Sequence, residues 1–207
     1  MIRLRYLLVS CLILLLSGCA AMDRDECINA DWYLIGFEDG SAGQQPQHIA
    51  EYRSACAEYA VVPQMEEYLA GHQRGVEGFC TAENGFAQGR AGRKLNPVCH
   101  GELKHHFLAG YNSGHELYRQ AQQVGRLRKQ LSGVNKAQQA LQQEKSDAET
   151  ELLADGTKLS RRAALYQRIE EIADELKRSR EKKYRIRHEL DDEQRYLNSL
   201  ERESRYQ

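Results

Sequence analysis

Trp32-Tyr33-Leu34-Ile35-Gly36-Phe37-Glu38-Asp39-Gly40-Ser41-Ala42-Gly43 is the stretch whose spacing decides the fold class. Glycines placed four and then three residues apart lie on one face of an α-helix. Each internal glycine costs about 1 kcal/mol relative to alanine in a helix, so a chain that repeats the pattern is arranged for close backbone approach along that face. The pattern recurs at Gly71, Gly75 and Gly78 and again at Gly85, Gly89 and Gly92. It begins a fourth time at Gly110 and Gly114, where Leu117 takes the last place. Tight helix–helix packing is the reading; a ligand groove lined by bare backbone is its competitor. Similar stripes pack membrane helices, but Glu38, Asp39, Arg74, Glu77 and Arg90 interrupt every such stretch here. The copies start at 36, 71, 85 and 110, a spacing too irregular for a regular solenoid.

Around the ladder, a first helix is predicted from an Asn29 or Asp31 cap to the neighbourhood of Gly43 and Pro46. A second covers His48–Tyr59, a third Pro63–Cys80 and a fourth Glu83–Gly92. Asn96-Pro97 marks a turn, and a fifth helix starts near Cys99. No strand alternation is present.

The chain changes character near residue 116. Residues 19–116 carry 7 Lys+Arg against 14 Asp+Glu, a balance of −7, and hold Trp32 and all three prolines. Residues 117–207 carry 20 against 16, a balance of +4, without proline or cysteine. In this second region Leu117, Val124, Leu131 and Leu152 share one heptad position, and Leu127, Val134, Leu141 and Ala148 share its partner. Further on, Ile169, Leu176, Leu190 and Leu197 alternate with Leu165, Ile172, Ile186 and Leu200. These are the two sides of an a/d seam. Between them, Gly156 suits a helix C′ position and Thr157 the next N-cap, so the segment reads as an antiparallel hairpin with arms of roughly 55–70 Å. Gln138, Lys145, Ser179, Lys183 and Glu193 interrupt the seam, and Gly125 and Ser132-Gly133 weaken the first arm. An intermolecular coil and a charged disordered tail are the alternatives. Lys177–Arg187 holds seven cations against Glu181; this reads as a solvated face or as an attraction for an anionic envelope polymer, lipid headgroup or acidic neighbour.

Cys27, Cys56, Cys80 and Cys99 in a region of this size read as two disulfides with three possible connectivities. Cys27–Cys56 and Cys80–Cys99 are favoured, because an antiparallel helix pair over 29–43 and 48–60 would bring the first two to one end. A zinc site is the alternative, although no C-x-x-C pair exists.

At the N-terminus, Arg3 and Arg5 precede an apolar run over Tyr6–Leu16 that is too short to span a membrane. Leu16-Ser17-Gly18-Cys19 resembles the lipobox of bacterial lipoproteins. The resemblance implies a signal peptide over 1–18, lipidation of Cys19 and, with Ala20 following, an outer-membrane address facing the periplasm. More than one acyl chain is needed for stable anchoring.

Cys27-x3-Asp31-Trp32-x2-Ile35-Gly36-x2-Asp39-Gly40-x2-Gly43, then Cys56, Tyr68-x2-Gly71-x3-Gly75, Cys80, Asn84-Gly85-x3-Gly89-x2-Gly92 and Val98-Cys99, resembles domain-of-unknown-function family 2799 of proteobacterial envelope lipoproteins. The likeness covers about residues 26–118 and brings no activity or catalytic residue with it. A family-typical Pro-Asp is here Pro63-Gln64.

Tests for chemistry return little. Gly110-Tyr111-Asn112-Ser113-Gly114 places its serine one position late for a nucleophile elbow. His100, His105, His106 and His115 make no recognised ligand spacing. Glu38 and Asp39, as adjacent helical residues, are read as solvent-facing rather than as a glycosidase pair. No catalytic, cofactor or metal residue is assigned, and no cofactor is expected. The expected organisation is all-α: a compact disulfide-stapled helical head over 19–116, followed by an antiparallel coiled-coil hairpin over 117–207. The expected role is a non-enzymatic binding or scaffolding protein, held to the membrane by its lipid and meeting an envelope protein or cell-wall partner through the coil, with no nucleic acid. A cell-wall hydrolase or a small-ligand-binding protein using the glycine-lined head is the alternative.

Overall fold

The computed structural model describes residues 22–204, which form helices and connecting segments with no strand among them. The expected signal peptide over 1–18 and the expected lipidation site Cys19 lie outside the described residues. The described chain divides into two units, one of residues 22–89 and 93–112, the other of residues 90–92 and 113–204. No described helix is long and apolar enough to cross a membrane.

A short helix unforeseen from the sequence, α1 (Arg24–Ile28), opens the first unit on a capping box. Asp23 accepts the Glu26 N–H at 2.9 Å, and Glu26 accepts the Asp23 N–H at 2.8 Å. This reciprocity satisfies two donors that a helix start otherwise leaves open. Of the two caps offered for the next helix, α2 (Trp32–Ser41), the structure uses Asp31, whose carboxylate accepts the Leu34 N–H at 2.9 Å; Asn29 closes α1 instead. The segment expected as one helix over His48–Tyr59 is a 3-10 turn at Pro46–His48, helix α3 (Ile49–Cys56) and a 3-10 turn at Ala57–Tyr59. It ends where Ala60 takes a left-handed φ of 57°. Then follow α4 (Met65–Phe79), α5 (Ala82–Arg90) and the long α6 (Gly101–Leu153). Cys27 is bonded to Cys56 and Cys80 to Cys99, each pair with Cα atoms 5.6 Å apart. One disulfide lies in each of two apolar clusters: Met22, Cys27, Trp32, Ile49, Cys56 and Tyr68, and Val76, Phe79, Cys80, Val98, Cys99 and Phe107.

The glycines let helices touch backbone to backbone. A Cβ on Gly36 would fall inside the Tyr68 carbonyl, and one on Gly71 inside that of Tyr33. One turn on, Gly40 meets the His72 carbonyl and Gly75 that of Phe37. The contacts advance together along both chains, so α2 and α4 run parallel. The same reciprocity joins α5 to the start of α6, where Gly85 faces the Phe107 carbonyl and Gly110 that of Ala82. Two expectations fail. Gly43 and Gly92 are not on a helix face: they follow the ends of α2 and α5 with φ of 76° and 67°, a left-handed conformation that a side chain resists. Gly78 packs against nothing, since an added Cβ there meets no atom within 4 Å.

The two helix pairs are built alike, position for position. After each left-handed glycine the next N–H bonds back to the turn before: Gln44 to the Asp39 carbonyl at 2.9 Å, Arg93 to that of Gln88 at 3.1 Å. The side chain following the first glycine of each second helix donates to the carbonyl beside that turn. His72 Nε2 lies 2.8 Å from Gln44 O, and Tyr111 Oη lies 2.8 Å from Arg93 O. An aromatic ring then covers each turn glycine, Phe79 on Gly43 and Tyr118 on Gly92. The irregular ladder is therefore a two-copy repeat, in which the first and third stripes correspond and the second and fourth correspond.

In the second unit α6 and α7 (Leu159–Glu203) pair antiparallel within one chain. Tyr196 donates to Glu116 at 2.6 Å, Gln123 reaches Glu189 at 3.5 Å, Arg168 binds Glu144 at 2.7 Å and Arg161 binds Glu151 at 2.7 Å, partners closing in step on the turn. The expected seam is inside: Val124, Leu127, Val134, Ala148, Leu165, Ile169, Ile172, Leu176, Ile186 and Leu197 are all buried. Helix α6 runs unbroken through Gly125 and Gly133. Gly156 takes φ 86° as expected of a C′ residue. Thr157 is not the next N-cap: its hydroxyl donates to the Glu151 carbonyl at 2.9 Å and so closes α6, while Lys158 opens α7 without a side-chain cap.

Candidate functional site

Among the described residues of the head, a buried polar cluster forms around Asp39. Asp39, 9% exposed, accepts the Tyr68 hydroxyl at 2.7 Å and the Tyr52 hydroxyl at 3.0 Å. The sequence reading that placed Asp39 toward solvent is wrong. Tyr68 belongs to the helix that glycine packing brings against α2, and its phenol needs a partner once buried. Glu38, one residue earlier, is exposed as expected. The Tyr68 ring stacks on His72, and His48 meets Tyr52 edge-on at 5.2 Å. Burial first, and then Asp39, push both phenols well above their ordinary value of 10. Two phenols held protonated against one carboxylate make a tie. A general acid or base needs a proton that moves near the working pH. His48 Nδ1 lies 3.3 Å from Glu51 one turn away, and Glu51 is exposed.

In the second copy the same place holds Gln88 and Phe107, so this polar tie is a feature of one half only. A cavity of about 180 Å³ beside the second disulfide is lined by Leu95, Asn96, Pro97, Cys99, Lys104, Phe107 and Leu108. It holds neither a carboxylate nor an imidazole and is smaller than ordinary ligand pockets. His100 Nδ1 lies 3.0 Å from the Val98 carbonyl, and His115 stacks on Tyr118. Among the described residues no group of three or more His, Cys, Asp or Glu is placed to hold a metal ion.

The hairpin presents a different arrangement. Gln138 and Lys183 stand where apolar seam residues would meet, and Lys183 Nζ lies 3.4 Å from Gln138 Oε1. Gln138 Nε2 is buried without a hydrogen-bond partner. At this break the seam opens into a groove of about 360 Å³, floored by Gln138, Gln142 and Leu176 and walled by Arg180, Lys183, Tyr184 and Arg187. A second hollow of about 450 Å³ is lined by Arg180, Glu181, Tyr184 and Arg185. Tyr184 is 72% exposed. The sequence marked both the seam breaks and the basic run; their meeting at one groove was not foreseen, because it depends on how the second arm faces the first.

Residues 31–116 match the family model described as Protein of unknown function (DUF2799). The head is a DUF2799 domain. The match begins at the Asp31 cap of α2 and ends early in α6, so it contains both glycine-packed helix pairs and leaves most of the hairpin outside. Gln64, which follows Pro63, stands at the N-cap of α4, and its side chain makes no capping bond. No curated protein and no solved structure matches the chain.

Proposed function

We propose that this protein is an envelope lipoprotein, held on the periplasmic side of the outer membrane by acyl chains on Cys19, whose hairpin is a binding or scaffolding element for an envelope protein or cell-wall partner. The observation that carries the binding role is the contrast between the two units. In the DUF2799 domain Gly36, Gly40, Gly71, Gly75, Gly85 and Gly110 are consumed by backbone contacts, whereas the hairpin keeps an open groove at a break in its own seam. The lipobox resemblance supports the address, and two disulfides suit an oxidising compartment. A hydrolase working from the head would need facing carboxylates or a His–carboxylate pair in a cleft, and the cavity beside the second disulfide supplies neither.

The test is crosslinking in intact cells followed by capture from membranes, comparing the full chain with one ending after residue 120, which keeps Tyr118 on Gly92. A specific partner captured only by the full chain is the expected result. Equal capture by the shortened chain would move the binding role to the DUF2799 domain. Cys19→Ser is expected to shift the protein from the membrane fraction to the soluble periplasmic fraction.

A further inference from the structure

We propose that the groove around Tyr184 is a binding site for an acidic glycan, a strand of sugar rings bearing oxyanion groups. This deepens, and rests on, the reading of the hairpin as the binding element. The first ground is an uncompensated charge. Residues 125–143 of α6 contain four cations and no carboxylate, and residues 177–187 of α7 contain seven cations and one carboxylate. The antiparallel register lays these two stretches side by side, as the Gln138–Lys183 contact records. Among the described residues none of the seven cations of 177–187 belongs to an ion pair, while ion pairs gather nearer the turn, at Glu144, Glu151, Arg161 and Arg168, and at Asp192 beyond the basic run. Like charges this close repel and weaken a helix pair. An anion bound between them removes that repulsion.

The second ground is the shape of the site. A single ion needs one pocket, but here two hollows share Arg180 and Tyr184 in their linings, the second also lined by Glu181. Arg180, Lys183, Tyr184 and Arg187 recur at helical spacing and form a stripe about 10 Å long at 1.5 Å per residue. That length suits a strand with repeated charges. The third ground is the mix of groups. Guanidinium forks match planar oxyanions, and an exposed tyrosine offers a flat amphipathic face to a sugar ring.

The experiment titrates the full chain in detergent with oligogalacturonate at about 0.15 M salt by calorimetry, beside a neutral galactan oligomer, a single-stranded oligonucleotide and phosphatidylglycerol vesicles. Oligogalacturonate is expected to bind and the neutral oligomer not to. Arg180→Gln with Arg187→Gln is expected to weaken binding about tenfold or more, and Tyr184→Ala about fivefold. Lys177→Gln with Arg178→Gln, an equal charge change outside the groove, is expected to weaken it less than about twofold. All three positions in the first two variants are exposed, so an unchanged helical signal and melting temperature accompany the loss. Equal weakening by the Lys177/Arg178 pair would reduce the site to diffuse charge and overturn the proposal. So would absence of oligogalacturonate binding, or tighter groove-dependent binding of the vesicles or the oligonucleotide. Groove variants that lose the glycan but still capture the crosslinked partner would separate this site from the partner surface.

Discussion

At Gly36 and Gly71 a single methyl group decides whether two helices can meet. Each faces a backbone carbonyl that cannot yield without moving a helix. Gly36→Ala or Gly71→Ala is therefore expected to destabilise the head by roughly 1–3 kcal/mol or more, as overpacking does. Gly78→Ala, on the same stripe but facing open space, is expected to stabilise it by roughly 0.5–1 kcal/mol through helix propensity. Urea unfolding of the full chain with each variant checks both signs. Asp39 offers a second test at this scale. Tyr68→Phe removes one of the two phenols that donate to Asp39, and Asp39→Gln replaces their shared carboxylate with a longer neutral amide; each alone is expected to cost about 1–3 kcal/mol. The double variant imports the Gln and Phe found at the matching places, Gln88 and Phe107, and is expected to cost less than the sum of the two. Additive losses in the double-mutant cycle would mean that the two sites are not coupled.

Among the elements, α4 begins at Gln64 without a side-chain cap. Gln64→Asp is expected to stabilise the head by about 1 kcal/mol, because a carboxylate there can accept an N–H of the first turn. Thermal unfolding reads the gain. In the hairpin, hydrogen bonds from Arg168 hold the Glu144 carboxyl below its ordinary value of 4.5, and those from Arg161 do the same for Glu151. A carboxyl whose folded value is depressed contributes stability that is complete above the unfolded value and is lost as pH falls through the folded one. The hairpin is thus expected to lose stability as pH drops below about 4.5, less steeply in Arg168→Gln, in a series of melts followed by circular dichroism. High salt is expected to shrink the effect, since these groups are at the surface.

For the whole molecule, both disulfides lie in the head and none in the hairpin. Reduction is expected to lower the melting transition of the head, each lost bridge costing about 2–5 kcal/mol, and to leave the hairpin transition in place. A calorimetric scan with and without reductant checks this. The fold class and the heptad seam were legible in the sequence, because each follows from spacing along the chain; spacing left three connectivities open to the four cysteines, and the structure fixes Cys27–Cys56 and Cys80–Cys99. The two-copy repeat was legible in principle, since Cys, Gly-x3-Gly-x2-Gly, Cys, Gly-x3-Gly occurs twice in that order. It was obscured because the connecting segments differ in length.

What the sequence by itself determined is local and periodic. A three-to-four residue glycine spacing marks a helix face, a heptad marks a seam, and Gly156 marks the turn between two arms. The tertiary structure decided which faces meet, and that is a matter of contact. Burial beneath α4 turned Asp39 inward to two phenols, and the end of each first helix took Gly43 and Gly92 out of the ladder. The pairing of the two hairpin arms set a polar break beside a run of cations and opened a groove between them.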